Sequence, residues 1–271
     1  MPVVLLLTGF FAFRCGLHAQ PIGAETLSPQ DAPAYSSATI VNAADNLGEP
    51  LAPNTIATLY GNNLAYATAS LTSSEVSGGV LPTVLPGTGV HLIVGGLLAN
   101  LYYVSPTQIN FLVPLNLLPG AVNVQVVIDG LAGPSIAVQL APAAPALFQL
   151  DSQYAVATRA DGSVITPAAP AKPGDIVILY ATGLGQTSPP LAYDELPMSA
   201  APLADAANFQ LLVDGVAADP HAVLYAGIAP GFAGLYQINV ILPVTAGANP
   251  EIRIGTGGAL STTGVRLPVQ P

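Results

Sequence analysis

One order of strand and turn signals occurs twice in this sequence, and this repetition limits the possible folds most strongly. The stretches YVSPTQINFLVP (103–114) and LYQINVILP (235–243) share Gln-Ile-Asn, an alternating apolar pattern and a closing proline. Upstream of each, a turn leads into an apolar strand that ends in tyrosine, in APNTIATLYGNNLA (52–65) and AKPGDIVILYATGLG (171–185). Between these segments, apolar strands meet Gly-Gly or Asp-Gly, which supply the positive φ angles of a two-residue hairpin. The repeated order predicts an internal duplication.

Composition separates a packed fold from a disordered chain. Glycine and proline number 27 each among 271 residues, but 51 % of the residues are hydrophobic and stand in short runs that can bury a core. Many short apolar runs divided by glycine and proline indicate an all-β protein. We predict two tandem immunoglobulin-like β-sandwiches of about seven strands each, over residues 38–145 and 146–271.

The N-terminus differs in character from the rest of the chain. Its apolar run, Val3 to Phe13, is too short to span a bilayer, and Ala19 lies where a signal peptidase cuts. We therefore predict a signal peptide over residues 1–19. Residues 20–37 show no periodicity and contain three prolines, so we expect a disordered leader there.

Cysteine and charge exclude several classes of function. Cys15 is the only cysteine, so a chain cut after Ala19 has no disulfide, no thiolate metal site and no cysteine nucleophile. That chain keeps fifteen acidic and four basic residues, a net charge of −11. Nucleic acid is a poor partner for such a surface. No later segment has 18 uninterrupted apolar residues, so we expect no transmembrane segment.

The Gln-Ile-Asn stretches place two amides on one strand face in each half. These amides are Gln108 and Asn110 in the first half and Gln237 and Asn239 in the second. We expect each asparagine to bond the backbone of a nearby loop, with contact to a ligand as the alternative. Alternation directs the intervening apolar residues inward, namely Ile109, Phe111, Val113, Ile238, Val240 and Leu242.

An acidic loop of the second half, SPPLAYDELPMSAAPLADA (188–206), is the other candidate site. It carries Tyr193, Asp194 and Glu195 side by side. Adjacent carboxylates beside an aromatic ring could bind calcium or an array of sugar hydroxyls. A solvated acidic loop is the alternative.

Signatures of enzymes are absent from the sequence. His91 and His221 each stand alone without a second histidine at metal spacing. No Gly-x-Ser-x-Gly motif occurs, and the Asp-Gly dipeptides have turn spacing, not the spacing of a calcium loop. We predict no catalytic activity and no cofactor.

Five segments carry a resemblance to a known family, namely TIVNAADNLGEPLAPNTIATLYGNNLA, YVSPTQINFLVP, APALF, KPGDIVILYATGLG and YAGIAPGFAGLYQINVILP. They resemble the Solibacter uncharacterised C-terminal domain, which occurs in secreted proteins of Acidobacteria. The resemblance covers about residues 40–269 and implies a secreted or cell-surface location, with no assigned catalytic residue. Each half is also similar, more loosely, to the IPT/TIG immunoglobulin-like fold, whose strand start and Gly-x-x-Leu turn match Pro53 through Leu64.

These features together predict a secreted, non-catalytic recognition or adhesion protein of the cell surface or extracellular matrix. Its partner would be an extracellular protein or a polysaccharide, which is an inference by analogy from the fold. A carbohydrate-binding accessory module is the main alternative. A secreted enzyme with unrecognised chemistry is the third possibility.

Overall fold

The computed structural model describes residues 32–48 and 50–271. The predicted signal peptide and residues 20–31 lie outside this described part. Within it, no helix is both long enough and apolar enough to cross a membrane.

The first half folds into two antiparallel sheets that face each other. Its strands are β1 (Ile40–Asn42), β2 (Ile56–Tyr60), β3 (Ala69–Ser70), β4 (Val90–Val94), β5 (Leu97–Leu98), β6 (Asn100–Ser105), β7 (Gln108–Leu112), β8 (Gly120–Ile128), β9 (Leu131–Ala132) and β10 (Ile136–Leu140). Sheet A has the order β1-β2-β7-β6-β3. Sheet B has the order β10-β8-β4-β5, and β9 also pairs with β8.

The second half repeats this arrangement. Its strands are β11 (Ala146–Leu147), β12 (Ala157–Arg159), β13 (Ile176–Thr182), β14 (Ala201–Pro202), β15 (Gln210–Val213), β16 (Val216–Ala217), β17 (Val223–Ile228), β18 (Tyr236–Ile241), β19 (Ile252–Thr256) and β20 (Ala259–Leu260). Sheet C has the order β11-β13-β18-β17-β14, with β12 also on β13, and sheet D has the order β16-β15-β19-β20. Short 3-10 helices occur at Ser37–Thr39, Ala206–Asn208 and Pro220–Ala222.

The two-residue hairpin turns have the conformation that the sequence predicts. Gly95 and Gly96 join β4 to β5 with φ angles of 58° and 83°, and Asp214 and Gly215 join β15 to β16 with φ angles of 50° and 78°. Both residues of each turn are left-handed, which matches the twist of the flanking strands.

Sheets A and C match in strand order and also in an irregularity. In sheet A the register between β6 and β7 shifts between Leu101 and Tyr103, and in sheet C the register between β17 and β18 shifts between Val223 and Tyr225. The bulged residue is thus Tyr102 in one half and Leu224 in the other. The fold is all-β, with two tandem immunoglobulin-like sandwiches related by an internal duplication, as predicted.

The end of the predicted disordered leader requires a correction. Ala34 forms an antiparallel bridge with Asn62, with N···O distances of 3.0 and 2.9 Å. Tyr60 and Tyr180 are equivalent, so Asn62 and Thr182, each two residues later, are equivalent as well. The bridge between Ala34 and Asn62 therefore matches the pairing of Ala146 with Thr182. Ala34 therefore extends the edge of sheet A, and the segment around it is the equivalent of β11.

Tyr35 fixes that segment to sheet B of the first sandwich. Its ring packs against the core, and its hydroxyl donates to the carbonyl of Pro134 (2.6 Å) and accepts from the amide of Val126 (2.8 Å). Sequence periodicity missed the segment because Pro33 and small residues such as Ser36 and Ser37 give such a short stretch no strand pattern.

Each sandwich encloses one apolar core, and the Gln-Ile-Asn strands contribute to both cores. Alternation along β7 and β18 places the apolar residues inward. The prediction for these strands is confirmed, since the first core contains Ile109, Phe111 and Val113, and the second contains Ile238, Val240 and Leu242.

Candidate functional site

A third apolar cluster lies between the two sandwiches and forms the junction. Phe148 of the APALF segment belongs to this cluster, whereas the preceding Leu147 lies in the core of the second sandwich. The buried members of the junction cluster are Ala44, Ile56, Leu81, Leu112, Ala146, Phe148, Val156, Tyr180, Ala229, Ala233 and Leu235.

Buried hydrogen bonds cross the junction as well. The Asn54 side-chain amide donates to the hydroxyl of Tyr236 (3.1 Å). The backbone amide of Ile56 donates to the hydroxyl of Thr182 (2.9 Å), which donates in turn to the carbonyl of Gly234 (2.7 Å). Directional bonds added to apolar burial hold the halves in one relative orientation.

The acidic loop of the second half is bound to the first half. The amide of Leu81 donates to the carbonyl of Asp194 (2.7 Å), and the amide of Leu196 donates to the carbonyl of Gly79 (2.8 Å). Tyr193 donates its hydroxyl to the carbonyl of Leu98 (2.7 Å). The loop therefore forms part of the junction, where Tyr193 and Asp194 are half-buried.

These contacts leave a cleft at the junction that is partly open to solvent, with walls from both halves. One carboxylate oxygen of Asp194, Oδ1, is buried and has no hydrogen-bond partner among the described residues. Asp194 also has a left-handed φ of 67°. The cleft is lined by Asn54, Asn100, Leu112, Leu115, Leu191, Ala192, Tyr193, Asp194, Glu195 and Ala233.

The carboxylates of Asp194 and Glu195 supply the cleft with negatively charged hydrogen-bond acceptors. Partial burial, together with the negative charge of Asp194, raises the pKa of Tyr193, so its hydroxyl stays protonated and holds Leu98. The described residues contain no group of three or more His, Cys, Asp or Glu side chains that could hold a metal ion. Calcium binding by Asp194 and Glu195 thus stays a prediction that rests on two carboxylates.

The structure places the paired amides on the outer faces of sheets A and C, outside the lining of the cleft. Gln108 donates to Oδ1 of Asn110 (2.8 Å), and Thr58 donates to the same oxygen (3.1 Å). Gln237 likewise donates to Oδ1 of Asn239 (2.8 Å). The expected bonds from the asparagines to a loop backbone are wrong, because residues two apart on a strand share a face and the long glutamine reaches its neighbour first.

The paired amides lead to a stability prediction. Asn110→Ala should lower the free energy of unfolding by about 1–2 kcal/mol, because Asn110 is buried and both donors lose their acceptor. Asn239→Ala should have a smaller effect, since Asn239 is only half-buried and water can replace the bond. Denaturant melts measure both, and equal losses for the two variants would contradict this account.

Two lining residues, Asn54 and Asn100, were not predicted from the sequence. Asn54 follows a proline in a turn and has a φ of 63°, which asparagine tolerates well, so its sequence signal was that of a turn residue. Asn100 donates to the carbonyl of Leu81 (3.0 Å). Only the packing of the halves brings these amides beside Asp194.

No protein-family model and no curated protein matches the sequence. Among solved structures, the chain is similar to the mixed-linkage glucan utilization locus protein SGBP-B of Bacteroides ovatus, in complex with a heptasaccharide (13 % identity, TM-score 0.33, 81 % of this chain and 43 % of that chain). It is also similar to the surface glycan-binding protein PbSGBP-B from Prevotella bryantii (13 % identity, TM-score 0.26, 86 % and 41 %). A third similar structure contains the tandem Ig repeats of Dlar (9 % identity, TM-score 0.22, 89 % and 97 %). The chain spans less than half the length of the two glycan-binding proteins, and these similarities carry no argument about a ligand.

Proposed function

We propose that this protein is a non-catalytic recognition protein of the cell surface or extracellular space, and that it binds a saccharide unit in the junction cleft. The observation that carries the proposal is the buried Oδ1 of Asp194, an acceptor that the rest of the described chain leaves unused. A sugar hydroxyl is a donor of the right chemistry for it. A buried acceptor without a partner costs free energy, which a bound ligand would recover.

The shape and charge of the cleft support a small neutral polyol over other ligands. Its apolar walls, Leu112, Leu115 and Leu191, stand beside a few polar side chains, a combination common in small-molecule sites. The enclosed part of the cleft has room for little more than one water-sized group, so it suits a single hydroxyl of a sugar whose ring stays at the open mouth. The net charge of −10 disfavours an anionic ligand.

A glycan screen of the purified protein tests the proposal, followed by calorimetric titration of any glycan that binds. Asp194→Asn should weaken binding about tenfold to hundredfold, the equivalent of one hydrogen bond to a charged group. Asparagine keeps the shape of the side chain and tolerates the left-handed backbone. Asp129→Asn, at another left-handed aspartate in the turn after β8, is the matched control and should bind as the wild type does.

Further arms of the experiment distinguish the alternatives. Titrations with calcium and with a chelator test the metal prediction, and product analysis after incubation tests for glycoside cleavage. If Asp194→Asn binds glycans as tightly as the wild type, or if no glycan binds, the proposed site is wrong.

A further inference from the structure

Two buried asparagines of the junction cleft keep hydrogen-bonding groups that the described chain does not use. Asn54 and Asn100 are both only 2 % exposed. Asn54 donates one side-chain N–H to the hydroxyl of Tyr236, and Asn100 donates one to the carbonyl of Leu81. Neither side chain makes a further hydrogen bond to a described residue. Each amide therefore retains one N–H donor and the acceptor Oδ1.

The partners of the two amides determine how each side chain is oriented. A carbonyl oxygen only accepts, so Nδ2 of Asn100 has to face Leu81. The hydroxyl of Tyr236 donates its proton to the carbonyl of Gly185, so towards Asn54 it acts as the acceptor. Because both asparagines line the cleft and are otherwise buried, a ligand reaches their unused atoms from the cleft.

These atoms, together with Asp194, select the chemical group that enters. The buried Oδ1 of Asp194 needs a donor, whereas the amides offer donors as well as acceptors. An ammonium only donates and would leave the amide N–H groups without an acceptor, and a carbonyl oxygen only accepts and would leave Asp194 without a donor. A hydroxyl donates and accepts, so it is the group that matches the site.

The narrow end of the cleft limits which hydroxyl of a sugar reaches these atoms. This end has room for little more than one water-sized group, and Leu112 and Leu115 are among its apolar walls. A ring hydroxyl is attached directly to the ring, so the ring would have to enter with it. The primary hydroxyl of a hexopyranose extends from the ring on a CH₂ group, and a CH₂ group is favourable beside apolar walls.

We propose, on the basis of the proposed saccharide function, that the narrow end of the cleft takes the hydroxymethyl arm of a hexopyranose and so distinguishes hexose from pentose glycans. The primary hydroxyl donates to Oδ1 of Asp194 and accepts an N–H from Asn54 or Asn100. The ring stays at the open mouth, where Glu195 is exposed. A pentopyranose such as xylose has no such arm and leaves the buried acceptor unpaired, which a site built to bind a hydroxyl rejects strongly.

Calorimetric titration of the full-length protein with three matched sugars tests this specificity. Methyl β-D-glucoside, methyl β-D-xyloside and methyl 6-deoxy-β-D-glucoside share one ring and carry CH₂OH, H and CH₃ at the same carbon. The glucoside should bind at least tenfold more tightly than either of the others, because only its arm supplies the hydroxyl. The 6-deoxy sugar separates the hydroxyl from the mere filling of space.

Asp194→Asn links the preference to the cleft. It should weaken binding of the glucoside about tenfold to hundredfold and leave the weak binding of the xyloside unchanged, so the preference is lost. A merely structural role of Asp194 would weaken both sugars equally. Asp129→Asn removes the same charge at an exposed turn and should keep the preference. Thermal melts check that both variants are folded.

The possible failures separate this specificity from saccharide binding itself. If the xyloside or the 6-deoxy sugar binds as tightly as the glucoside, the hydroxymethyl assignment is wrong and saccharide binding stands. Equal weakening of both sugars by Asp194→Asn also overturns the assignment. A glucoside that does not bind overturns it as well, and the proposed function fails with it only if the glycan screen also finds no ligand.

Discussion

Replacing Gly183 with alanine is expected to lower the free energy of unfolding by about 3 kcal/mol or more. Gly183 lies in the turn after β13 with a left-handed φ of 75°. An added Cβ would overlap the carbonyl oxygen of Ala144, in the segment that links the two sandwiches, and would lie 3.2 Å from the hydroxyl of Thr55 in the first half. Backbone atoms cannot move aside as a side chain can, so the linker would have to shift.

Gly174→Ala is the matched control for this experiment. Gly174 has a φ of 88°, but an added Cβ would meet nothing within 4 Å. Only the cost of the left-handed backbone remains, about 1–2 kcal/mol. Denaturant melts compare the two variants, and equal losses would mean that the close approach of the linker does not matter.

The second large effect is expected for Tyr236→Phe, which should lower the free energy of unfolding by about 1–3 kcal/mol. Tyr236 is fully buried, its hydroxyl accepts from the side chain of Asn54 across the junction, and it donates to the carbonyl of Gly185. Phenylalanine keeps the ring but leaves a buried donor and a buried acceptor unpaired. Tyr103→Phe is the control and should leave the free energy of unfolding nearly unchanged, because the hydroxyl of Tyr103 makes no hydrogen bond within the described chain.

The same tyrosine makes stability depend on alkaline pH. Burial raises the pKa of Tyr236 from 10.0 to about 12. Below pH 10 the hydroxyl is protonated in both states, so its contribution is fully present. Between pH 10 and 12 the unfolded chain loses the proton first, so stability falls as pH rises. Tyr236→Phe should show a shallower fall over this range in melts at each pH, and an identical slope would contradict the assignment.

The sequence predicts the sandwiches well because their signals are local. Asp214-Gly215 and Gly95-Gly96 determine tight hairpins through their own backbone preferences. Alternation along QINFLV determines which side chains face the core. The order of these signals, repeated once, was enough for the duplication.

The candidate site depends on long-range packing and was predicted only in part. Tyr193 and Asp194 were identified as an acidic loop, but nothing local indicates that Leu81 and Leu98 of the other half would bind them. Asn54 and Asn100 looked like ordinary turn and strand residues. The exposure of Ile176 also could not be predicted, since its equivalent Ile56 has the same pattern of neighbours and is buried.

The short bridge between Ala34 and Asn62 has a consequence for how the protein can be shortened. A chain that begins at residue 38, the predicted start of the first sandwich, would leave the backbone of Asn62 open at the edge of sheet A and the amide of Val126 without the Tyr35 hydroxyl. Open sheet edges pair readily with other chains. We therefore expect a chain that lacks residues 33–36 to aggregate more readily through this edge, and an expression fragment should include them.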